Sequence, residues 1–378
     1  MKRFFYLLVL VALFSLESEA QADKAEAGIV AIMKEYPVTG LSVAVVKKNK
    51  IVYMHAFGEK DRETHAPLAT DNMFRIASIS KSFSATSIMQ LVEAGKLSLD
   101  DDAGKLIGFR LRNPNYPDKV ITLRMLMSHL SSINDSQGYF SYDAINPDKN
   151  PDWAKCYSNN EPGTHYDYCN LNYNMVGGII EKTSGERFDQ YVKHHVLDPL
   201  GLYGGYCVDS LDRSKFASIY EYNRDSARFI PSPNAYVPRS AEIAAYVFGQ
   251  STPIFSPTGG MKISAPDLAR YMIMHKNLGK ANGRRIISKK SAIEMQTELS
   301  PDEHYGLAIE TTQKMIPGMT MIGHTGSAYG LYSAMFFSQD RTFGIVVISN
   351  GCDIGYTEGF NTVIRRTVNC LYESFIKK

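Results

Sequence analysis

Runs of β-branched and aromatic residues near both ends of the chain predict strands. The first two runs are separated by the polar segment 47–50 and predict a hairpin. Later runs are joined by turn-forming glycine, serine and aspartate residues. We therefore expect one antiparallel sheet built from both ends of the chain. The predicted strands are 41–46, 51–57, 305–310, 319–324, 331–338 and 343–349.

Apolar residues between the two groups of strands recur at helical spacing, and Gly95 and Gly185 end two of these patterns. A last helix at about 356–376 is expected to cover one face of the sheet. The predicted fold class is α+β, an α/β sandwich with a mostly helical region inserted into the antiparallel sheet. We expect a single domain over 21–378 whose two regions share one crevice. The other predicted helices are 80–94, 172–183, 187–196 and 265–278, and the predicted regions are 21–95 with 286–378 for the sheet and 96–285 for the helices.

The N-terminus carries the features of a secretory signal peptide. Lys2 and Arg3 precede an apolar run over 4–16, and a small-x-small site ends at Ala20. The run is shorter than the roughly 20 residues that a membrane-spanning helix needs, so an uncleaved anchor is the less favoured alternative. We predict removal of 1–20 and an exported protein, periplasmic or secreted, with no membrane span after cleavage.

The composition of the 378 residues is typical of a globular protein, because 44% are hydrophobic and 21% are charged. A formal net charge of +2 gives no reason to expect a nucleic-acid or membrane-surface partner. Neither Cys-x-x-Cys nor His-Glu-x-x-His spacing occurs, so we expect no metal site, and no cofactor is predicted.

All five cysteines lie in the part of the chain that is predicted to be exported, where disulfides are permitted. Spacing alone does not fix their pairing. We hypothesise that Cys169 bonds to Cys156 or Cys207 and that Cys352 pairs with Cys370. The alternative is that the cysteines are small buried hydrophobic residues.

A candidate nucleophile lies at the start of the first long predicted helix. A serine hydroxyl needs a nearby base to become a nucleophile, and a base three residues along a helix lies on the same face. Ser78 and Lys81 have this spacing, and the helix follows directly. Ser374 and Lys377 fit the same pattern, but no further helix follows them. We therefore favour the first pair.

With this motif in place, the chain resembles the class C β-lactamase and DD-peptidase family, which also includes esterases. The family's second motif, Tyr-x-Asn, corresponds to Tyr168 and Asn170, with Cys169 in place of the usual serine. A second Tyr-x-Asn begins at Tyr157, but it precedes the Pro-Gly dipeptide that the family places before the motif. The resemblance therefore favours Tyr168.

The family's third motif is usually Lys-Thr-Gly and corresponds here to His324, Thr325 and Gly326, followed by Ser327. A histidine in its first position is a variant in some DD-peptidases and related hydrolases of the family. The family's His-Thr-Ser-Gly segment is altered here and begins at His129. The likeness covers about residues 25–350.

The resemblance and the chemistry together imply roles for these residues. Ser78 would attack a carbonyl and Lys81 would accept its proton, while Tyr168, acidified by neighbouring cations, would carry protons to the leaving group and from the deacylating water. Backbone N–H groups of Ser78 and Ser327 would form an oxyanion hole. His324 would orient Tyr168 or meet a substrate carboxylate, and with an ordinary pKa near ~6.5 it would change charge in the working pH range. The substrate-binding residues implied are Asn170, His324, Thr325, Gly326 and Ser327.

The sequence therefore predicts an exported serine hydrolase that acts on an amide or ester through an acyl-enzyme. We rank D-amino-acid peptide or carboxypeptidase substrates first, esters second and β-lactams third, because an imidazole at 324 recognises a carboxylate less well than a permanent ammonium. The expected partner is a small-molecule or peptide substrate, possibly derived from the cell wall. The alternative is a binding protein or sensor without turnover, which would not need a nucleophile and a base together.

Overall fold

The computed structural model describes residues 2–300 and 302–377, with side chains described from residue 19 onward. The strands are β1 Gly40–Lys47, β2 Lys50–Asp61, β3 Ala66–Pro67, β4 Phe74–Arg75, β5 Gly204–Gly205, β6 Tyr220–Asn223, β7 Arg228–Pro231, β8 Lys262–Ile263, β9 Lys280–Ala281, β10 Arg284–Arg285, β11 Glu310–Thr312, β12 Met321–Ala328, β13 Leu331–Ser338, β14 Phe343–Ser349, β15 Tyr356–Thr357 and β16 Phe360–Asn361. The helices are α1 Lys2–Glu35, α2 Ser80–Glu93, α3 Ala103–Ile107, α4 Leu123–Met127, α5 Asn170–Ser184, α6 Phe188–Val192, α7 Asp198–Leu200, α8 Ser240–Ala244, α9 Ala265–Lys276, α10 Lys289–Gln296 and α11 Thr362–Phe375.

The central element is an antiparallel sheet in the order β11-β12-β13-β14-β1-β2-β3, so its strands come from both ends of the chain. The middle strands β1 and β14 are buried along nearly their whole length, because helices cover both faces. On one face Val43 and Val45 pack with Ile29 of α1 and Val368 of α11. On the other face, Val46 contributes to the core shared with α2, α5 and α9. The fold is therefore the predicted α/β sandwich.

Helix α2 runs through the interior of the protein, so polar as well as apolar side chains of this helix are buried. Buried hydroxyl groups need hydrogen-bond partners. Ser84 donates to the carbonyl oxygen of Pro257 at 3.0 Å, and the hydroxyls of Thr86 and Tyr271 are 3.0 Å apart. These contacts fix α2 against the segment before β8 and against α9. They therefore set the position of Lys81, which this helix carries.

Most predicted elements are present, with β13 and β14 confirmed to the residue and α2 to within one residue. The strand predicted at 305–310 is wrong for most of its length, since a turn in which Gly306 donates to the carbonyl of Ile309 interrupts it and the strand begins at Glu310. The last helix begins at Thr362 because the hairpin β15–β16 occupies the preceding residues. The sequence did not predict the sheet β4-β8-β5.

The side chains of the predicted signal peptide up to residue 18 lie outside the described residues. Helix α1 passes through the predicted cleavage site, where Ala20 is exposed, and the first buried side chain among those described in this helix is Ala25. Among the residues that the structure describes, no helix is both long and apolar enough to cross a membrane.

The predicted disulfides are wrong, because all five cysteines are free thiols. Instead of pairing with one another, the thiols of Cys169 and Cys156 contact oxygen atoms. The thiol of Cys169 is 3.2 Å from a carboxylate oxygen of Asp135, and the thiol of Cys156 is 3.2 Å from the carbonyl oxygen of Ala144. The cysteines therefore act as packed thiols, which is the alternative that their spacing left open.

Candidate active site

Ser78 lies in a tight turn, Ala77–Ile79, that joins β4 to α2. Ala77 has a φ of 47°, a left-handed conformation that non-glycine residues rarely adopt and that often occurs at functional sites. Ser78 is half-buried and lines a cavity of about 330 Å³, whose wall also contains Tyr168, Asn170 and Ser327. The cavity therefore brings together residues of the first two sequence motifs and Ser327, which directly follows the third.

The amine of Lys81 is fully buried behind Ser78. Its Nζ lies 3.2 Å from Ser78 Oγ, 3.0 Å from Asn170 Oδ1 and 3.0 Å from the carbonyl oxygen of Thr258. The amide and carbonyl oxygens are acceptors only, whereas the serine hydroxyl either accepts or donates. A neutral amine therefore keeps all three contacts, by donating two N–H groups to the acceptors and accepting the Ser78 proton.

The pKa of Lys81 is lowered to about 7, chiefly by burial, with the Asp135 carboxylate acting to raise it and Arg75 acting to lower it. Desolvation disfavours the charged form of a lysine. Both protonation states of Lys81 are therefore populated near neutral pH. The prediction that this lysine is neutral for part of its time is consistent with this pKa.

Asp135 holds the second motif in place, and the sequence analysis missed it. Its carboxylate accepts hydrogen bonds from the backbone N–H of Asn170 at 2.9 Å, from the Asn170 side-chain amide at 3.0 Å and from the N–H of Leu171 at 3.0 Å. A carboxylate at the N-terminus of α5 also suits the helix dipole. Because the amide nitrogen of Asn170 faces Asp135, its oxygen must face Lys81. No local motif marks Asp135, since it lies in an irregular loop.

Tyr168 lies just before α5, with its ring centroid 4.7 Å from the Lys81 amine. The residue is 41% exposed, yet desolvation of the phenol raises its pKa, and a hydrogen bond with Ser78 acts in the opposite direction. The predicted acidification of Tyr168 by neighbouring cations is therefore wrong. Tyr168 is a neutral phenol beside the Ser78 hydroxyl, and a phenol in this state is a proton donor.

His324 is 4% exposed and lies behind the cavity wall rather than in it. One ring nitrogen, Nδ1, faces the carbonyl oxygen of Thr325 at 2.5 Å, and Nε2 is 3.0 Å from the hydroxyl of Tyr305. Because a carbonyl only accepts, Nδ1 carries the hydrogen and Nε2 accepts from Tyr305. Burial and the nearby Lys81 lower the pKa of His324 to about 4. The expectation that His324 changes charge in the working pH range is therefore wrong.

Buried aromatic residues form the wall behind Tyr168. The ring of His129 lies 4.3 Å from that of Tyr168 and 5.2 Å from that of Tyr305. Nδ1 of His129 accepts a hydrogen bond from the backbone N–H of Cys169 at 3.1 Å, and burial lowers the pKa of His129 well below its usual value. Burial also raises the pKa of the nearby Glu310 carboxyl to about 7. The sequence signalled His129 only as part of an altered family segment, and it did not signal Glu310.

Of the predicted substrate-binding residues, Asn170 and Ser327 line the Ser78 cavity, whereas His324, Thr325 and Gly326 do not. Thr325 and Gly326 line a smaller cavity together with Tyr356 and Phe360 of the hairpin β15–β16. Gly326 has a steric reason to be glycine, since a Cβ atom there would lie 2.2 Å from the carbonyl oxygen of Ile76. The glycine lets β12 pass close to the turn that carries Ser78.

The two rejected motifs lie away from the cavity. Ser374 donates to the carbonyl oxygen of Cys370 at 2.8 Å within α11. Tyr157 is 7% exposed and packs against Trp153. Helical context and motif order thus separated these residues from those that the structure brings together.

A model of the Beta-lactamase family matches residues 25–355 of this chain. The chain belongs to the β-lactamase family. Within it, protein flp of Staphylococcus aureus strain N315 is 23% identical over 350 residues, covering 88% of this chain and 63% of flp. The chain thus spans less than two thirds of the length of this relative.

Two solved structures show the same fold as this β-lactamase-family chain. An octameric penicillin-binding protein homologue from Pyrococcus abyssi has a TM-score of 0.72 and 26% identity, covering 93% of this chain and 76% of that one. D-amino acid amidase from Ochrobactrum anthropi SV3 has a TM-score of 0.72 and 19% identity, covering 94% of this chain and 98% of that one. The similarity extends over nearly the whole chain.

Proposed function

We propose that this protein is a serine hydrolase that cleaves an amide or ester through an acyl-enzyme on Ser78. The observation that carries the proposal is the enclosure of Lys81, whose amine has a pKa of about 7 and lies 3.2 Å from the Ser78 hydroxyl. A general base works best when its pKa is near the operating pH. A lysine that served only packing would need neither this contact nor this pKa.

In the proposed acylation step, neutral Lys81 takes the proton of Ser78 as Oγ attacks the substrate carbonyl carbon. The oxygen of the tetrahedral intermediate would accept hydrogen bonds from the backbone N–H groups of Ser78 and Ser327, each worth roughly 3 to 4 kcal/mol in other hydrolases. The position of both residues on the wall of one cavity supports this assignment.

Collapse of the intermediate breaks the bond to the leaving group, which takes a proton from Tyr168. The raised pKa keeps this phenol protonated, and its hydrogen bond with Ser78 places the proton beside the reacting oxygen, which supports a donor role by position. The Lys81 ammonium, 4.7 Å from the ring centroid, replaces the Tyr168 proton directly or through a water. In deacylation, a water attacks the carbonyl carbon of the acyl-enzyme ester and gives a proton to the relay of Lys81 and Tyr168. The bond to Ser78 Oγ then breaks, and Oγ takes a proton back from this relay.

For the substrate, we propose D-amino-acid peptides or amides first, esters second and β-lactams third. His324 is neutral, so the third motif offers no positive charge to the carboxylate of a β-lactam. The fold shared with a D-amino acid amidase gives this ranking further support. Asn170 stays a proposed substrate contact because it lines the cavity.

We also propose that the protein is exported to the periplasm or secreted after removal of residues 1–20. The basic and apolar N-terminus supports this, and Ala20 is exposed while the buried part of α1 begins at Ala25. Cleavage after Ala20 would therefore keep every buried side chain that the structure describes in α1. N-terminal sequencing of protein from the secreting host should read from about Gln21, and an intact Met1 in exported protein would contradict the proposal.

Ser78→Ala should abolish labelling by a fluorophosphonate, read by intact-mass spectrometry, while the thermal midpoint stays within a few degrees because one hydroxyl contributes little stability. The matched control is Ser374→Ala, which removes the serine of the other Ser-x-x-Lys pair. This control should label like the parent protein. Labelling that survives in Ser78→Ala would remove the nucleophile from the proposal, and unlabelled parent protein would favour a binding protein or sensor.

Tyr168→Phe should lower kcat for a D-amino-acid anilide by about 100-fold, because the leaving group loses its proton donor. Tyr157→Phe is the matched control, since it removes one phenol from the other Tyr-x-Asn sequence and lies in the core beside Trp153. Steady-state kinetics of both variants give the comparison. A larger loss of kcat in Tyr157→Phe than in Tyr168→Phe would show that Tyr168 is not the proton donor.

A further inference from the structure

A second cavity, of about 410 Å³, opens beside the Ser78 cavity and shares Arg75, Ser256 and Tyr329 with it. Its volume is in the range of small-molecule sites. The wall includes apolar side chains such as Val208 and Phe255. A substrate that reaches Ser78 would therefore find an apolar space on one side of the cleft.

Three basic side chains line this second cavity. Arg239 is paired with Glu242, whereas Arg75 and Lys262 face each other across paired strands. Arg75 of β4 lies directly opposite Lys262 of β8. Like charges in this position destabilise a sheet. Lys262 is 4% exposed, and within the described residues neither cation forms an ion pair with a carboxylate. The nearby Asp209 carboxylate raises the pKa of Lys262 without pairing with it, so the fold holds two neighbouring basic side chains whose charges are only partly compensated.

Both side chains are anchored but keep N–H groups to spare. Arg75 donates Nε–H to the carbonyl oxygen of Gly259 at 2.7 Å and an Nη2–H to Ser256 Oγ at 3.3 Å. Lys262 donates to the carbonyl oxygen of Tyr206 at 2.7 Å. A guanidinium has five N–H donors and an ammonium has three. Further donors on both cations therefore remain for a ligand.

Burial lowers the pKa of Lys262 well below its usual value, and the positive charge of Arg75 lowers it further. An anion between the two side chains would offset both effects, since an opposite charge favours the charged form of a lysine. The forked donors of arginine match the two oxygens of a carboxylate.

We propose that Arg75 and Lys262 form a subsite for a substrate carboxylate, whose adjoining apolar side chain fills the second cavity. This inference deepens the proposed function and rests on it for the identity of the ligand as a substrate. It places recognition of the carboxylate on β4 and β8 rather than on β12, where His324 is buried and neutral. The substrate class becomes a D-amino-acid derivative with an apolar side chain and a free carboxylate.

The test is calorimetric binding of N-acetyl-D-phenylalanine and of its C-terminal amide to the Ser78→Ala protein. The carboxylate should bind about tenfold more tightly than the neutral amide, because it pairs with Arg75 and favours the charged form of Lys262. Adding Lys262→Met should reduce this preference to about threefold or less. Equal binding of the two ligands by the Ser78→Ala protein would overturn the subsite whether or not the second variant folds.

Lys276→Met is the matched control, because Lys276 is 3% exposed and donates to one backbone carbonyl, that of Arg341, at 2.6 Å on α9. Added to Ser78→Ala, it should leave the carboxylate preference unchanged. A preference that survives Lys262→Met, or that Lys276→Met removes equally, would contradict the subsite. Binding to Ser78→Ala needs no turnover, so failure of the subsite is distinct from failure of acylation, which appears as absence of label on Ser78.

Discussion

The amine of Lys81 is enclosed where α2, α5 and the segment before β8 meet, and the geometry of the cleft depends on that enclosure. Desolvation of a charge is costly unless hydrogen bonds compensate it. Ser78, Asn170 and the carbonyl of Thr258 supply three contacts, and the serine contact reverses direction when the amine loses its proton. The low pKa of Lys81 and its contact with Ser78 therefore both result from the enclosure of the amine.

The groups around this amine help to set its pKa near neutrality. Asp135 supplies negative charge and orients Asn170, while Arg75 supplies positive charge. His129 and His324 are held neutral by burial and by the Lys81 charge. A permanently charged side chain in place of either imidazole would lower the pKa of the lysine further. The neutral imidazoles in the aromatic wall behind Tyr168 thus keep the pKa of Lys81 from falling further.

Local sequence signals predicted the parts of the site that depend on local structure. The one-turn spacing of Ser78 and Lys81 and the position of Tyr168 before α5 are features of short segments. Motif order rejected Tyr157, and the lack of a following helix rejected Ser374. Burial of His324, the raised pKa of Tyr168 and the free thiols depend on residues distant in sequence. The same holds for Asp135, Glu310 and Lys262, which belong to no motif. The centre of the sheet was predictable because β1, β13 and β14 are largely apolar runs of seven or eight residues, whereas the two-residue strands β4 and β8 leave no such pattern.

The pH dependence of the rate at which a neutral fluorophosphonate labels Ser78 tests the central claim most directly. Because the neutral amine is the base, the rate should rise with pH, with a midpoint near the Lys81 pKa of about 7, and level off above it. Glu310 also has a pKa of about 7, so Glu310→Gln should give the same profile if Lys81 is the titrating group. A rate that is constant from pH 5.5 to 9, or that rises without levelling as for an ordinary lysine near ~10.4, would contradict the account.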